Sequence, residues 1–237
     1  MARTKMTRHQ LKEQDEITTW LQKFTEFVYA RQKEITAGVA ILVVLIAAIL
    51  GWNYYSRSRT ARAQSELSQV IATFTDTTNI KSEKERYDKT IVEAQKIYDS
   101  YRSQPVGIIA EYYMALSQEG LGDTAKATQT LQDVIQRGDQ SIKGVAQFAL
   151  GGIYKKHGDT QKAVDMYKPL YDSGQYSKAA VAYELATLYE NNNQLDQAKD
   201  YYQKLVSEFP DSPFRSNADQ ALRRLGVTIP PPAQKPS

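Results

Sequence analysis

YMALSQEGLGDTAKATQTLQDVI (residues 113–135), ALGGIYKKHGDTQKAVDMYKPLY (149–171) and ELATLYENNNQLDQAKDYYQKLV (184–206) are one pattern written three times. Each has an apolar stripe at steps of three and four, a tight turn, and a second stripe of the same period, which is the signature of a helical hairpin. Gly122, Gly158 and Asn193 fall at the turns, 36 and 35 residues apart. Gly and Asn are the residues that best accept the left-handed backbone that closes a helix. Five residues after each turn stands Ala127, Ala163 or Ala198. Four further on come Leu131, Tyr167 and Tyr202, and three beyond those come Val134, Leu170 and Leu205. Before the turns, Ala115, Gly151 and Ala186 share one small position, where two helices of a hairpin can approach closely. On this reading Gly151 tolerates Ala and rejects Leu.

A period near 34 residues with these small and large positions resembles the tetratricopeptide repeat. The resemblance covers residues 105–210. Its preferred Trp early in the first helix is absent, with Glu111, Gln147 and Ala182 in its place, and the Pro that often ends a repeat occurs only as Pro210. The fold expected is all-α: an N-terminal amphipathic helix and a transmembrane helix followed by a tetratricopeptide-like α-solenoid over 57–226. The resemblance implies that partners bind in the groove lined by the first helices. Tyr112, Phe148 and Tyr183 hold one shared position there, three residues before the small one. Two readings stay open: a partner-binding stripe, or core rings packed between hairpins.

Working outward, residues 57–102 form a degenerate first repeat in which Ala94, Tyr98 and Tyr101 repeat the alanine, plus-four and plus-seven pattern. Its first helix carries the stripe Ala61, Leu67, Val70, Ile71 and Phe74; its second carries Tyr87, Ile91, Ala94, Ile97, Tyr98 and Tyr101. TDTTN (75–79) is the loop between them. After Phe209-Pro210-Asp211-Ser212-Pro213, a capping helix is expected over 213–226, with Ser212 as its cap and Pro213 in its first turn. Residues 227–237, VTIPPPAQKPS, are a Pro-rich tail with the composition of a disordered segment.

Between Glu34 and Arg57 the sequence ITAGVAILVVLIAAILGWNYYS (35–56) carries no charge. Twenty-two helical residues extend about 33 Å, enough for a hydrocarbon core of about 30 Å. A core helix is rarely apolar on all faces. A signal peptide has a short basic lead and small residues at its end, whereas this lead is 34 residues long and bulky aromatics follow. Trp52, Tyr54 and Tyr55 suit the headgroup layer. Seven basic residues precede the span and three (Arg57, Arg59 and Arg62) follow closely, which favours an N-terminus in the cytoplasm.

The cytoplasmic tail, 1–34, opens on a polar, basic stretch and then places Ile17, Trp20, Leu21, Phe24, Phe27 and Val28 on one helical stripe. Such a helix lies in the membrane interface through Trp20, Phe24 and Phe27, or docks on a membrane partner, or packs on its own chain.

Composition excludes several classes. There is no Cys, so there is no disulfide framework, thiolate nucleophile or Cys-based metal site. Net charge is +3, split between +2 in residues 1–56 and +1 in the rest, which is too neutral for a phosphate-neutralising nucleic-acid binder. His9 and His157 lack a second ligand at metal spacing. Gly151-Gly152 has no Lys-Ser/Thr after it and is not a phosphate loop. No catalytic, cofactor or metal site is expected, nor any small-molecule substrate.

The whole arrangement is a tail containing DEITTWLQKFTEFVYARQKE (15–34), one span closed by Gly51-Trp52, and a continuous helix entering divergent repeats. It resembles the YfgM family of ancillary SecYEG translocon subunits. That resemblance implies a bacterial inner-membrane protein with a periplasmic repeat domain. Its partners would be translocon subunits, periplasmic chaperones or secreted clients. The Pro-rich end and FPDSPF (209–214) depart from it and are similar to repeat junctions of envelope scaffolds such as BamD and CpoB. The alternatives are therefore an envelope-assembly or regulatory scaffold, or the anchoring subunit of a membrane enzyme complex.

Overall fold

The computed structural model describes residue 20, residues 23–27 and residues 29–227. The expected polar start of the tail, Ile17, Leu21 and Val28 of its stripe, and residues 228–237 of the Pro-rich end lie outside the described residues. Those described are helices joined by turns, without a strand. The chain divides into two compact units, one ending at Ala61 and the other beginning at Arg62.

In the first unit residues 23–27 are helical, and helix α1 begins at Gln32 and runs to Thr75. Its segment Gln32–Trp52 is long and apolar enough to cross a membrane, and no protein covers it. The apolar side chains described from Ile41 to Leu50 are all uncovered, with Val44 66% exposed. Trp52, Tyr54 and Tyr55 are exposed at its end, and Trp20, Phe24 and Phe27 are exposed before it. Trp20 and Phe24 stack with ring centroids 5.5 Å apart.

The second unit is built from the last part of α1 and eight further helices: α2 (Glu83–Tyr101), α3 (Pro105–Gly120), α4 (Thr124–Arg137), α5 (Gln140–Lys156), α6 (Thr160–Ser173), α7 (Lys178–Asn191), α8 (Leu195–Glu208) and α9 (Arg215–Arg224). Each packs on its neighbour in sequence, and α3 also reaches α5, so the hairpins α3/α4, α5/α6 and α7/α8 stack as a solenoid.

Three turns close the hairpins in the same way. Gly122, Gly158 and Asn193 have φ of +85°, +81° and +57°. The following amides donate backward: Asp123 N–H to the Gln118 carbonyl, Asp159 N–H to Tyr154 and Gln194 N–H to Tyr189, each at 2.9 Å. These bonds satisfy carbonyls that a helix end leaves orphaned. N-caps reopen the helices: the Ser82, Asp123, Asp139 and Ser177 side chains accept from amides of α2, α4, α5 and α7.

The periodic large positions make the core. Leu131, Tyr167 and Tyr202 are fully buried, as are Val134, Leu170 and Leu205, and Ala127, Ala163 and Ala198 have no exposed surface. The Tyr202 hydroxyl donates to Glu190 at 2.7 Å, which gives a buried ring a polar anchor.

Four expectations need correction. A Cβ on Gly151 would lie 2.6 Å from Cε1 of Tyr167, a ring that is 1% exposed and unable to yield cheaply; Ala is not mild there. Of the stripe expected on α1, Leu67 and Val70 are buried and Ile71 and Phe74 half-buried, but Ala61 is exposed, and Ala63 and Thr73 are buried in addition. The buried face of α2 is Arg86, Thr90, Ala94, Ile97 and Tyr101, so two polar residues sit inside, and Tyr98 is only half-buried, with Arg102 and Arg137 over its ring. Finally, α9 starts at Arg215, capped by Phe214 without a side-chain bond, because Ser212 instead turns the chain by accepting from Phe214 N–H at 3.2 Å.

Candidate partner-binding site

The side of the solenoid carried by α3, α5 and α7 holds the three rings at the shared first-helix position. Tyr112, Phe148 and Tyr183 are each half-buried, with one edge packed toward the core clusters of their hairpins. Their surroundings differ. Phe148 stacks on Tyr176 at 4.4 Å and tilts against Tyr167 at 5.5 Å. Tyr183 stacks on Phe214 at 5.0 Å and meets Tyr202 edge-on at 6.4 Å. Among the described residues Tyr112 meets one ring, its chain neighbour Tyr113, edge-on at 5.5 Å. Burial, with the Tyr113 and Tyr176 phenols close by, pushes the Tyr112 hydroxyl up to about 12.

The covering rings come from the connections between hairpins. Tyr176 lies between α6 and α7, and Phe214 between α8 and α9. The connection between α4 and α5 is Gly138-Asp139 and brings no ring. Beside Tyr112 a cavity of about 460 Å³ is lined by Ile109, Tyr112, Ile142 and Val145, with Arg137 and Asp139 among its polar wall groups.

Charges on this side are tied from repeat to repeat. Lys156 Nζ donates to Glu119 at 2.8 Å, Lys155 Nζ to Glu184 at 2.7 Å and to Thr187 at 2.8 Å, and Arg224 pairs with Glu190 at 3.3 Å. Glu119 also accepts from Thr124 at 2.8 Å. Burial alone would raise its carboxyl, but the donors Lys156, Thr124 and His157 hold it below the usual value. Glu111, which stands where the repeat pattern prefers Trp, is buried against Arg137. Burial raises its carboxyl, and Arg137 pulls it only partly back. Arg137 also donates to the Arg102 carbonyl at 3.3 Å.

Sequence reasoning missed these ties. A usable signal existed: Glu119, Lys155 and Glu190 hold one register position, 36 and 35 residues apart, and alternate in sign. Among the described residues no group of three His, Asp or Glu side chains is arranged to hold a metal. Half-exposed rings beside internally neutralised charges make a surface suited to apolar polypeptide segments.

The comparisons agree with this geometry. The profile of the tetratricopeptide repeat-like domain matches residues 26–218. Among solved structures, the chain is similar to a Podosopora anserina putative kinesin light chain with nearly identical TPR-like repeats, at 16% identity, covering 69% of this chain and 85% of that one, with a TM-score of 0.55. It is also similar to a tetratricopeptide repeat protein from Parabacteroides merdae, at 13% identity over 68% of this chain and 60% of the other, with a TM-score of 0.53. A third is the MamA RS-1 ArsTM double mutant, at 15% identity over 67% and 84%, with a TM-score of 0.50. No curated protein sequence matches the chain. At these identities the structures speak for the fold alone. Fold and profile together show that the chain belongs to the tetratricopeptide repeat-like domain family, whose repeats are typical of protein-interaction scaffolds.

Proposed function

We propose that the chain is a membrane-anchored, non-catalytic scaffold that binds protein partners on the first-helix side of its solenoid. In this reading residues 35–56, within α1, are a single transmembrane anchor. The tail, residues 1–34, is cytoplasmic, and the repeat domain is periplasmic at a bacterial inner membrane. The observation that carries it is the uncovered apolar helix joined in one chain to a repeat domain with half-exposed rings at Tyr112, Phe148 and Tyr183. A membrane supplies the cover that protein does not. Trp20, Phe24 and Phe27 on one flank and Trp52, Tyr54 and Tyr55 on the other then sit at the headgroup layers.

The resemblance to ancillary translocon subunits supplies the finer reading: a component of the translocon and of the periplasmic chaperone network, meeting secreted clients. Gentle purification from membranes with photo-crosslinkers at Phe148 and Tyr183 tests it. Crosslinks to translocon subunits or periplasmic chaperones are the expected outcome. A stoichiometric enzyme complex in their place would make the chain an anchoring subunit, and envelope-assembly factors would make it a scaffold of that pathway.

A further inference from the structure

The three repeats are copies of one design, so each shows what the others' surfaces are shaped to receive. At two of them the first-helix ring is covered face to face by an aromatic ring of the same chain, Tyr176 on Phe148 at 4.4 Å and Phe214 on Tyr183 at 5.0 Å. At the third the cover is missing, and the cavity of about 460 Å³ lies there instead. Its cause is in the sequence. The connection between α4 and α5 has two residues where that between α6 and α7 has four, and neither Gly138 nor Asp139 can supply a ring. Ser141, in the first turn of α5, lines the cavity with only an exposed hydroxymethyl group.

The charged groups around this space are already engaged. Arg137 is bonded to Glu111 and to the Arg102 carbonyl, and Asp139 accepts from the Ser141 and Ile142 amides at 3.0 and 3.1 Å. A charged ligand group would have to break those bonds. An uncharged ring would not, and stacked or edge-on rings gain beyond the area they bury.

We propose that the cavity beside Tyr112 is a specificity pocket for an aromatic side chain of a partner polypeptide, which takes the place that Tyr176 and Phe214 fill elsewhere. The proposal rests on the first-helix side being the binding side, and it names the residue chemistry that side selects.

The test uses the full chain in lipid nanodiscs and the pentapeptide Gly-Ser-X-Ser-Gly with X as 4-fluorophenylalanine, followed by fluorine line broadening. The Phe peptide should compete and the Leu and Ala peptides should not. Ser141→Tyr puts a ring of the chain's own at the cavity wall and should weaken the probe about tenfold. Gln140→Ala, at an exposed neighbour outside the lining, should bind as the native chain does, and both variants should keep its melting temperature. Equal competition by the Leu peptide would overturn the aromatic assignment. Undiminished binding to Ser141→Tyr would overturn the pocket. Concentration-dependent dimerisation that Ser141→Tyr abolishes would assign the place to a second copy and overturn the foreign partner. The crosslinkers at Phe148 and Tyr183 separate the two levels. Partner crosslinks that persist when the pocket tests fail leave the binding side standing, and their absence removes both.

Discussion

Val44 and Val92 are both well-exposed valines, at 66% and 56%, yet they stand in opposite company. Around Val44 the described side chains from Ile41 to Leu50 are apolar and uncovered on every side of the helix. Around Val92 lie Lys89, Glu93 and Lys96, and the apolar side chains of α2 mostly turn inward. An isolated exposed valine is ordinary on a soluble surface. A continuous uncovered belt is not, and calls for a solvent other than water. The two units therefore satisfy their apolar residues by different means, the solenoid by periodic packing and the N-terminal helix by something outside the chain.

Substitutions should separate those means. Tyr167→Ala empties the middle of the solenoid and should cost about 3–5 kcal/mol, read as a drop in the thermal midpoint of the domain without loss of membrane association. Leu45→Arg should do the reverse. A central charge disfavours insertion by about 2.5–3.5 kcal/mol, so fractionation should move the protein out of the membrane while the domain's melting temperature holds. Equal effects of both changes on both readouts would erase the distinction. Gly151→Ala sharpens it within the solenoid: the added methyl meets the Tyr167 ring and should cost about 1–3 kcal/mol, whereas Gly152→Ala, whose Cβ would lie 3.6 Å from the Tyr167 hydroxyl, should be near neutral.

These cases also show what sequence carries and what it does not. The turns at Gly122, Gly158 and Asn193 and the buried rings of Tyr167 and Tyr202 were legible because repetition averages out noise: one position read three times is a pattern. The first repeat is a worn copy, and there the reading caught Leu67, Val70, Ala94, Ile97 and Tyr101 but missed the polar residues buried among them. Arg86 and Thr90 are inside although their types suggest outside, and Thr90 manages this by donating to the Arg86 carbonyl at 2.8 Å. Around the candidate site, the positions of Tyr112, Phe148 and Tyr183 followed from register. Their covers did not, because Tyr176 and Phe214 sit in irregular connections where no period applies. The cost of Gly151→Ala was equally hidden, since it depends on the direction of one ring in the next helix.

The smallest effect concerns pH. Glu119 is held below its usual value by its donors, so the ties it makes stabilise the fold above about pH 4.5 and are lost as pH falls through the lower folded value. Glu119→Gln should flatten the acid limb of the domain's stability profile and change neutral stability by under about 1 kcal/mol. Glu111 opposes it: its raised carboxyl gains protons more readily in the folded state, which favours the fold as pH falls. An acid limb steeper in Glu119→Gln than in the native chain would contradict the inter-repeat tie.

The absence of cysteine makes one experiment clean. Single variants Val44→Cys and Val92→Cys, expressed in bacterial cells, are treated with a membrane-impermeant maleimide before and after detergent. A membrane-held helix beneath a periplasmic repeat domain predicts that Val92→Cys labels at once in intact spheroplasts, and that Val44→Cys stays unlabelled there despite its exposure and reacts only once the bilayer is dissolved. Labelling of Val44→Cys as fast as Val92→Cys in intact spheroplasts would contradict the anchor, and protection of Val92→Cys until lysis would contradict the periplasmic placement of the domain.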